Sequence, residues 1–174
     1  MNKSLIIPSL FLLLTITTYG QQLSIDLHSF YGIWNNESSG YSYGGGGLTV
    51  SYEHPLKKGD LQCGLAFRTI DWGNQITITT AYRAPYISKS NWSFNGLTSI
   101  GLGSALFQQR GMFVWSIGYL PEFVWLTDRR ISLSAGLGFR YTNNPAYKNY
   151  GSINQLFELP LKIGVQIQLA REDN

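Results

Sequence analysis

His28 and Ser29 are the one adjacent histidine–serine pair in the chain and the first place to look for chemistry. A nucleophilic hydroxyl needs its base within hydrogen-bond reach. From Leu23 to Ser29, however, apolar and polar residues alternate with the period of a strand, so neighbouring side chains point to opposite faces. His28 then shares a face with Asp26 while Ser29 points away, and no nucleophile–base pair forms. His28 is expected to join Asp26 in a polar interior, and His54, beside Pro55, to be solvated at a strand end. Two histidines and one cysteine, Cys63, give no metal-ligand spacing and no internal disulfide. Cys63 lies on an apolar face as a small hydrophobe. The run Gly44–Gly47 lacks the GxxxxGK[ST] signature and opens a strand where a phosphate loop would open a helix. No metal and no cofactor are implied.

The charged residues form a more informative set. Asp26, Glu53, Arg68, Arg83, Glu122, Arg140, Glu158 and Lys162 all fall on the polar side of alternating segments. They are four acids and four bases, drawn from seven segments. Unpaired charge in an enclosed space is costly, so a balanced set is expected to form an ion-pair network with His28 at its edge. That role is structural and does not require a substrate.

Long strands must position this set. Phe113, Trp115, Ile117, Tyr119, Pro121, Phe123 and Trp125 occupy every second position, and after Thr127–Arg130 the pattern resumes with Ile131, Leu133, Ala135, Leu137, Phe139 and Tyr141. Both runs outlast the usual strand of about 5–6 residues. Similar alternation starts at Leu23, Leu48, Leu61, Ile76, Trp92 and Phe157, giving eight strands. One face is apolar and meets lipid; the other is small or polar and meets an enclosed lumen. The predicted fold is all-β, an eight-stranded antiparallel up-and-down transmembrane β-barrel. With a periplasmic N-terminus, the segments Asn35–Gly47 and Thr142–Ser152 are long external loops, whereas Pro55–Asp60 and Thr127–Arg130 are short periplasmic turns. Asp71–Asn74, Ala84–Asn91 and Gln108–Gly111 read as further turns, and strands five and six are expected to project beyond the membrane. The Tyr- and Asn-rich loops, with Asn35, Asn36, Tyr41, Tyr43, Asn143, Asn144, Tyr147 and Tyr150, are candidate surface-binding elements.

Residues 1–20 stand apart. Lys3 precedes an apolar stretch from Leu5 to Ile16, and Thr18-Tyr19-Gly20 suits cleavage before Gln21, so residues 1–20 read as a signal peptide and 21–174 as the barrel domain. Pro8 interrupts the stretch, which is shorter than the ~20 residues of a spanning helix. No cysteine directly follows the cleavage site, which argues against a lipoprotein. Charged residues make up 13% of the chain, against about 25% in a soluble domain. With 19 glycines and 14% aromatics, this suits a barrel with aromatic girdles. It argues against a soluble periplasmic sandwich or lipocalin-like barrel. A net charge of +3 without a basic stripe excludes nucleic acid as a partner.

These strands, among them ISLSAGLGFRY (131–141) and FELPLKIGVQIQL (157–169), resemble the small outer-membrane β-barrels of the OmpX and OmpA-membrane-domain type and related porin-family barrels. The resemblance implies location in the cell outer membrane, with outer-membrane lipid and the barrel-assembly machinery as partners. Such barrels commonly finish on an aromatic residue, whereas this chain ends Leu169-Ala170-Arg171-Glu172-Asp173-Asn174; that departure weakens the assembly signal or moves it further in. The function expected is a structural or surface-interaction role through the external loops, without enzymatic activity, towards an extracellular ligand that the sequence does not identify. The alternatives are a membrane-embedded lipid-modifying hydrolase or acyltransferase and a narrow diffusion channel.

Overall fold

Side chains that alternate in polarity commit each strand to two opposite environments, and a sheet of such strands satisfies its backbone fully only by closing on itself. The computed structural model, describing residues 21–36, 39–70, 73–107, 110–126, 130–143 and 155–169, shows that closure. Its strands are β1 (Gln22–Asn36), β2 (Ser39–Leu56), β3 (Gly59–Ile70), β4 (Gly73–Ser88), β5 (Trp92–Phe107), β6 (Arg110–Leu126), β7 (Ile131–Leu137), β8 (Phe139–Asn143) and β9 (Gln155–Gln168). There is no helix among the described residues. The strands β1 to β6 pair in sequence, and β1 meets β9 antiparallel from Gln22↔Gln168 to Ile33↔Phe157. Both β7 and β8 lie between β6 and β9, so together they form a single stave of a closed, eight-stranded antiparallel barrel.

The break in that stave has a local cause. Gly138 N–H donates to the Pro160 carbonyl at 3.0 Å, and Pro160 has no N–H with which to return a ladder bond. The backbones approach closely here: a Cβ on residue 138 would lie 2.7 Å from Leu120 Cα. The alternation of 131–141 is therefore one run in sequence and two strands in space.

Several turns expected from sequence prove to be strand. The segment Asn35–Gly47 is not a long loop: Trp34 pairs with Tyr41, Asn35 with Gly40 and Asn36 with Ser39, leaving only 37–38 between the strands. Glycine is a turn signal in isolation, but here its missing side chain makes room. A Cβ at Gly45 would overlap the Phe30 ring, and one at Gly47 would lie 3.1 Å from Arg68 Cγ. Ala84–Asn91 is likewise strand as far as Ser88, with a register shift between Pro85 and Ile87 that absorbs the proline. Gly73, Asn74, Arg110 and Gly111 also belong to strands. The tight β2–β3 turn is Lys57–Lys58, closed by Gly59 at φ 144°, a conformation glycine adopts without steric cost. Residues 1–20, 127–129, most of the second predicted loop (144–152) and the C-terminal 170–174 lie outside the described residues.

The faces separate cleanly. Leu27, Ile78 and Ile163 are 63%, 65% and 62% exposed, whereas Ser24, Ser134 and Lys162 on the other face are buried. An outward apolar face this continuous belongs against hydrocarbon. Ile163→Arg is accordingly expected to destabilise the barrel in lipid vesicles by about 2–4 kcal/mol if the position lies near mid-bilayer. Urea unfolding from vesicles measures this, and an unchanged midpoint would reject a lipid-facing position.

Candidate functional site

The inward face assembles the eight charged residues singled out by alternation into two clusters. In the first, Arg83 donates through Nε to Glu122 and through Nη1 to Glu53. Lys162 Nζ donates to Glu122 at 2.7 Å and lies 3.3 Å from Asp26. In the second, Arg68 donates to Glu158 at 2.6 Å, and Arg140 approaches the same carboxylate at 3.8 Å. The Glu122 and Glu158 side chains have no exposure, and those of Lys162, Glu53, Asp26, Arg68 and Arg83 have at most 5%.

Backbone register explains the first cluster. Glu122 pairs with Gly136, and Gly136 pairs on its other side with Lys162. The glycine leaves the space across which the two longer side chains meet; a Cβ there would lie 3.0 Å from Glu122 Cβ. Gly164 performs the same service for its cross-strand neighbour Asp26, whose Cγ would lie 3.0 Å from an added Cβ. Small residues thus alternate with charged ones around the lumen because the charged side chains extend sideways over them.

Three participants were not in the predicted set. Asp60, a turn residue by sequence, is the second residue of β3 and approaches its cross-strand neighbour Arg83 at 3.9 Å. Gln75 accepts a bond from Arg68 at 3.0 Å, and Phe30 lies beneath the Arg68 guanidinium, 4.2 Å from centroid to Cζ. Gln75 and Phe30 have the inward parity of their strands, so alternation could have found them; Asp60 could be found only from the short turn.

His28 is a correction. It faces the lumen, as its parity requires, but neither ring nitrogen hydrogen-bonds to protein and no ion pair joins it to Asp26. Lys162, the cross-strand neighbour of His28, takes Asp26 instead. Ser29 is exposed on the outward face, so the two side chains point apart. The described residues contain no cluster of His, Cys, Asp and Glu able to hold a metal.

Between the clusters lies a cavity of about 60 Å³ bordered by His28, Gln62, Arg68, Gln75 and Lys162. Gln62 Nε2, Gln75 Nε2 and Arg68 Nε make no hydrogen bond to protein. At roughly 10–15 Å³ per water, a polar space of this size suits a handful of solvent molecules and no larger solute. Ala81, Leu97 and Leu120 form an apolar layer on one side.

The candidate binding residues divide between strand and undescribed segments. Asn35, Asn36, Tyr41 and Tyr43 are in the β1–β2 ribbon. Asn143 is the last residue of β8, its amide 3.4 Å from the Tyr141 hydroxyl. Asn144, Tyr147 and Tyr150 lie outside the described residues.

The ribbon has unusual edges. The pairing of β1 to β9 stops at Ile33, and that of β2 to β3 at Gly45. Beyond those points β1 and β2 pair only with each other among the described residues. Similarly, among the described residues β6 pairs with β8 no further than Trp115, and Arg110–Val114 pairs on the β5 side alone.

Because Glu122 is the buried carboxylate shared by Arg83 and Lys162, Glu122→Ala is expected to cost about 3 kcal/mol, leaving Arg83 to Glu53 alone and Lys162 to Asp26 alone. Urea unfolding in detergent micelles measures the loss. The paired replacement Arg68→Met with Glu158→Leu is expected to cost less than Glu158→Leu alone, which leaves both Arg68 and Arg140 without their shared carboxylate.

No family model matches the chain, and no curated protein matches it in sequence. Among solved structures, the chain is similar to the Neisserial surface protein A, NspA, at 11% identity with a TM-score of 0.59 over 86% of this chain and 97% of that one. It also aligns with Ail, the attachment invasion locus protein of Yersinia pestis, at 12% identity and TM-score 0.43, over 85% and 99% of the two chains. The KdgM porin aligns at 13% identity and TM-score 0.24, over 83% and 98%. At such identities the first likeness concerns fold alone, and the lower scores of the other two add nothing to it. What this chain shares with NspA is the fold, which in this chain is a closed, eight-stranded antiparallel barrel.

Proposed function

We propose that the protein is an outer-membrane barrel whose lumen is a structural plug and whose β1–β2 ribbon is its interaction surface. The observation that carries this reading is the opposition of the two faces: exposed apolar side chains outside, buried and mutually neutralising charge inside. A lumen closed by side chains argues against a solute channel, and His28 and Ser29 point apart, so the reading is non-enzymatic. The ribbon extends past its barrel neighbours, and among the described residues its edges at 34–36 and 39–44, like Arg110–Val114 of β6, have no second strand. Such edges recruit an extended partner segment by adding a strand. The partners in assembly are outer-membrane lipid and the barrel-assembly machinery; the extracellular ligand is an extended segment of unspecified origin.

Cell fractionation with electrophoresis before and after boiling tests the placement. Outer-membrane recovery with a heat-modifiable band is expected, and recovery as a soluble periplasmic protein would overturn it. Orientation is tested in a Cys63→Ser background. Tyr41→Cys is expected to react with an impermeant maleimide on intact cells and Lys57→Cys only after lysis; the opposite order would invert the barrel. Planar-bilayer recordings are expected to show no steady conductance.

A further inference from the structure

Three connections at the barrel end that carries Gln21 and Leu169 direct cations outward. Lys57 and Lys58 form the β2–β3 turn, Lys89 lies between β4 and β5, and Arg130 precedes β7; all four are exposed. None takes part in the ion pairs found among the described residues, and nearby Asp60 approaches Arg83 instead. Successive connections are two strands apart, roughly 10 Å, so the cations recur along an arc of rim from β3 to β7. Where β9 meets β1, the same rim carries Gln21, Gln22 and Gln168.

The barrel wall beside this arc is aromatic on its outward face. Trp92 stacks on Phe123 with centroids 5.0 Å apart, Phe123 meets Trp125 at 4.3 Å, and Tyr86 meets Phe94 at 6.0 Å. Tyr82 hydroxyl donates to the Lys58 carbonyl at 2.5 Å, and Leu126 N–H to the Asn91 carbonyl at 3.0 Å. These bonds tie two of the cationic connections to the wall. The outward face near the closing strands is aliphatic instead, with Ile25, Ile131, Leu133 and Val165.

We propose that this arc is a binding site for anionic phospholipid. Lipids seated side by side along the arc place their phosphates against Lys57 and Lys58, against Lys89 and against Arg130, and their acyl chains along Trp92, Phe94 and Trp125. A soluble anion would use the cations alone; only a lipid also uses the rings beside them, which is why lipid is the occupant chosen. Exposed cations beside an apolar wall attract anionic headgroups, and Trp and Tyr favour that same interfacial depth. The site would hold the barrel at a fixed depth and turn one sector of its circumference towards anionic lipid. This inference rests on the lipid-embedded reading above.

The test uses the full barrel refolded into phosphatidylcholine vesicles containing phosphatidylglycerol, with spin-labelled forms of each lipid read by electron paramagnetic resonance. Phosphatidylglycerol is expected to be immobilised severalfold more strongly than phosphatidylcholine, and high salt to reduce the difference. The combined Lys57→Gln, Lys58→Gln, Lys89→Gln and Arg130→Gln variant is expected to abolish it while keeping a heat-modifiable band. Equal immobilisation of both lipids by a heat-modifiable native barrel would overturn the site and leave the barrel reading intact. Failure of the native chain to insert into either vesicle would overturn both. Displacement of the spin-labelled lipid by soluble glycerophosphoglycerol would show a site for the headgroup alone and overturn the lipid assignment.

Discussion

Closure of the sheet by β1 against β9 is the constraint on which the rest of the structure depends. The two strands come from opposite ends of the described chain and pair over twelve positions, Gln22–Ile33. Without that contact both would be open edges with unpaired backbone groups, a state that hydrocarbon does not tolerate. With it, every stave has two neighbours along the shared body of the barrel. The contact also joins the first and last strands, so the complete barrel cannot form until both are present. Local hairpins alone do not supply it.

Closure creates an interior, and the interior explains the charges. Eight staves enclose a lumen that side chains can fill, so whatever points inward must pack and be neutralised. Arg83 contacts carboxylates from β2 and β6, and Lys162 from β1 and β6, so each ties staves that are not adjacent. Arg68 from β3 reaches Glu158 on β9. These are cross-braces through the lumen, and the backbone ladder cannot provide them. Buried ion pairs are weak evidence of net stability, because desolvation offsets much of their attraction. Their stronger consequence is specificity: a one-residue slip of any charged strand would move its charge to the outward face.

The two ends of the barrel serve different purposes in the reading developed above. At one end the β1–β2 ribbon outruns its neighbours and exposes backbone edges. At the other, short connections carry cations over an aromatic wall. The first suits a protein segment and the second a lipid surface, and the braced lumen separates them. The cavity between the two ion clusters is large enough for a few waters, and it gives Gln62, Gln75 and Arg68 polar company without opening a route for solutes.

The period-two alternation by itself determined the number of staves, which face is apolar, and the inward placement of Asp26, Glu53, Arg68, Arg83, Glu122, Arg140, Glu158 and Lys162. It could do so because a strand has only two sides, and a side chain's parity assigns it to one of them. Parity carries no information about which inward side chains meet. Thus Asp26 and His28 share a face and a strand, yet Asp26 binds Lys162 and His28 binds neither. The stagger of neighbouring strands, and the glycines over which long side chains extend, decided those partners. The same ambiguity made Gly44–Gly47 look like loop. Residue type records the absence of a side chain, and only the tertiary structure shows that Phe30 and Arg68 occupy the space beside Gly45 and Gly47. The break at Gly138 has the same origin, since it depends on Pro160 lying opposite it. Sequence determined the faces because they are a local property of the chain; tertiary structure decided the pairings because they depend on register between strands distant in sequence.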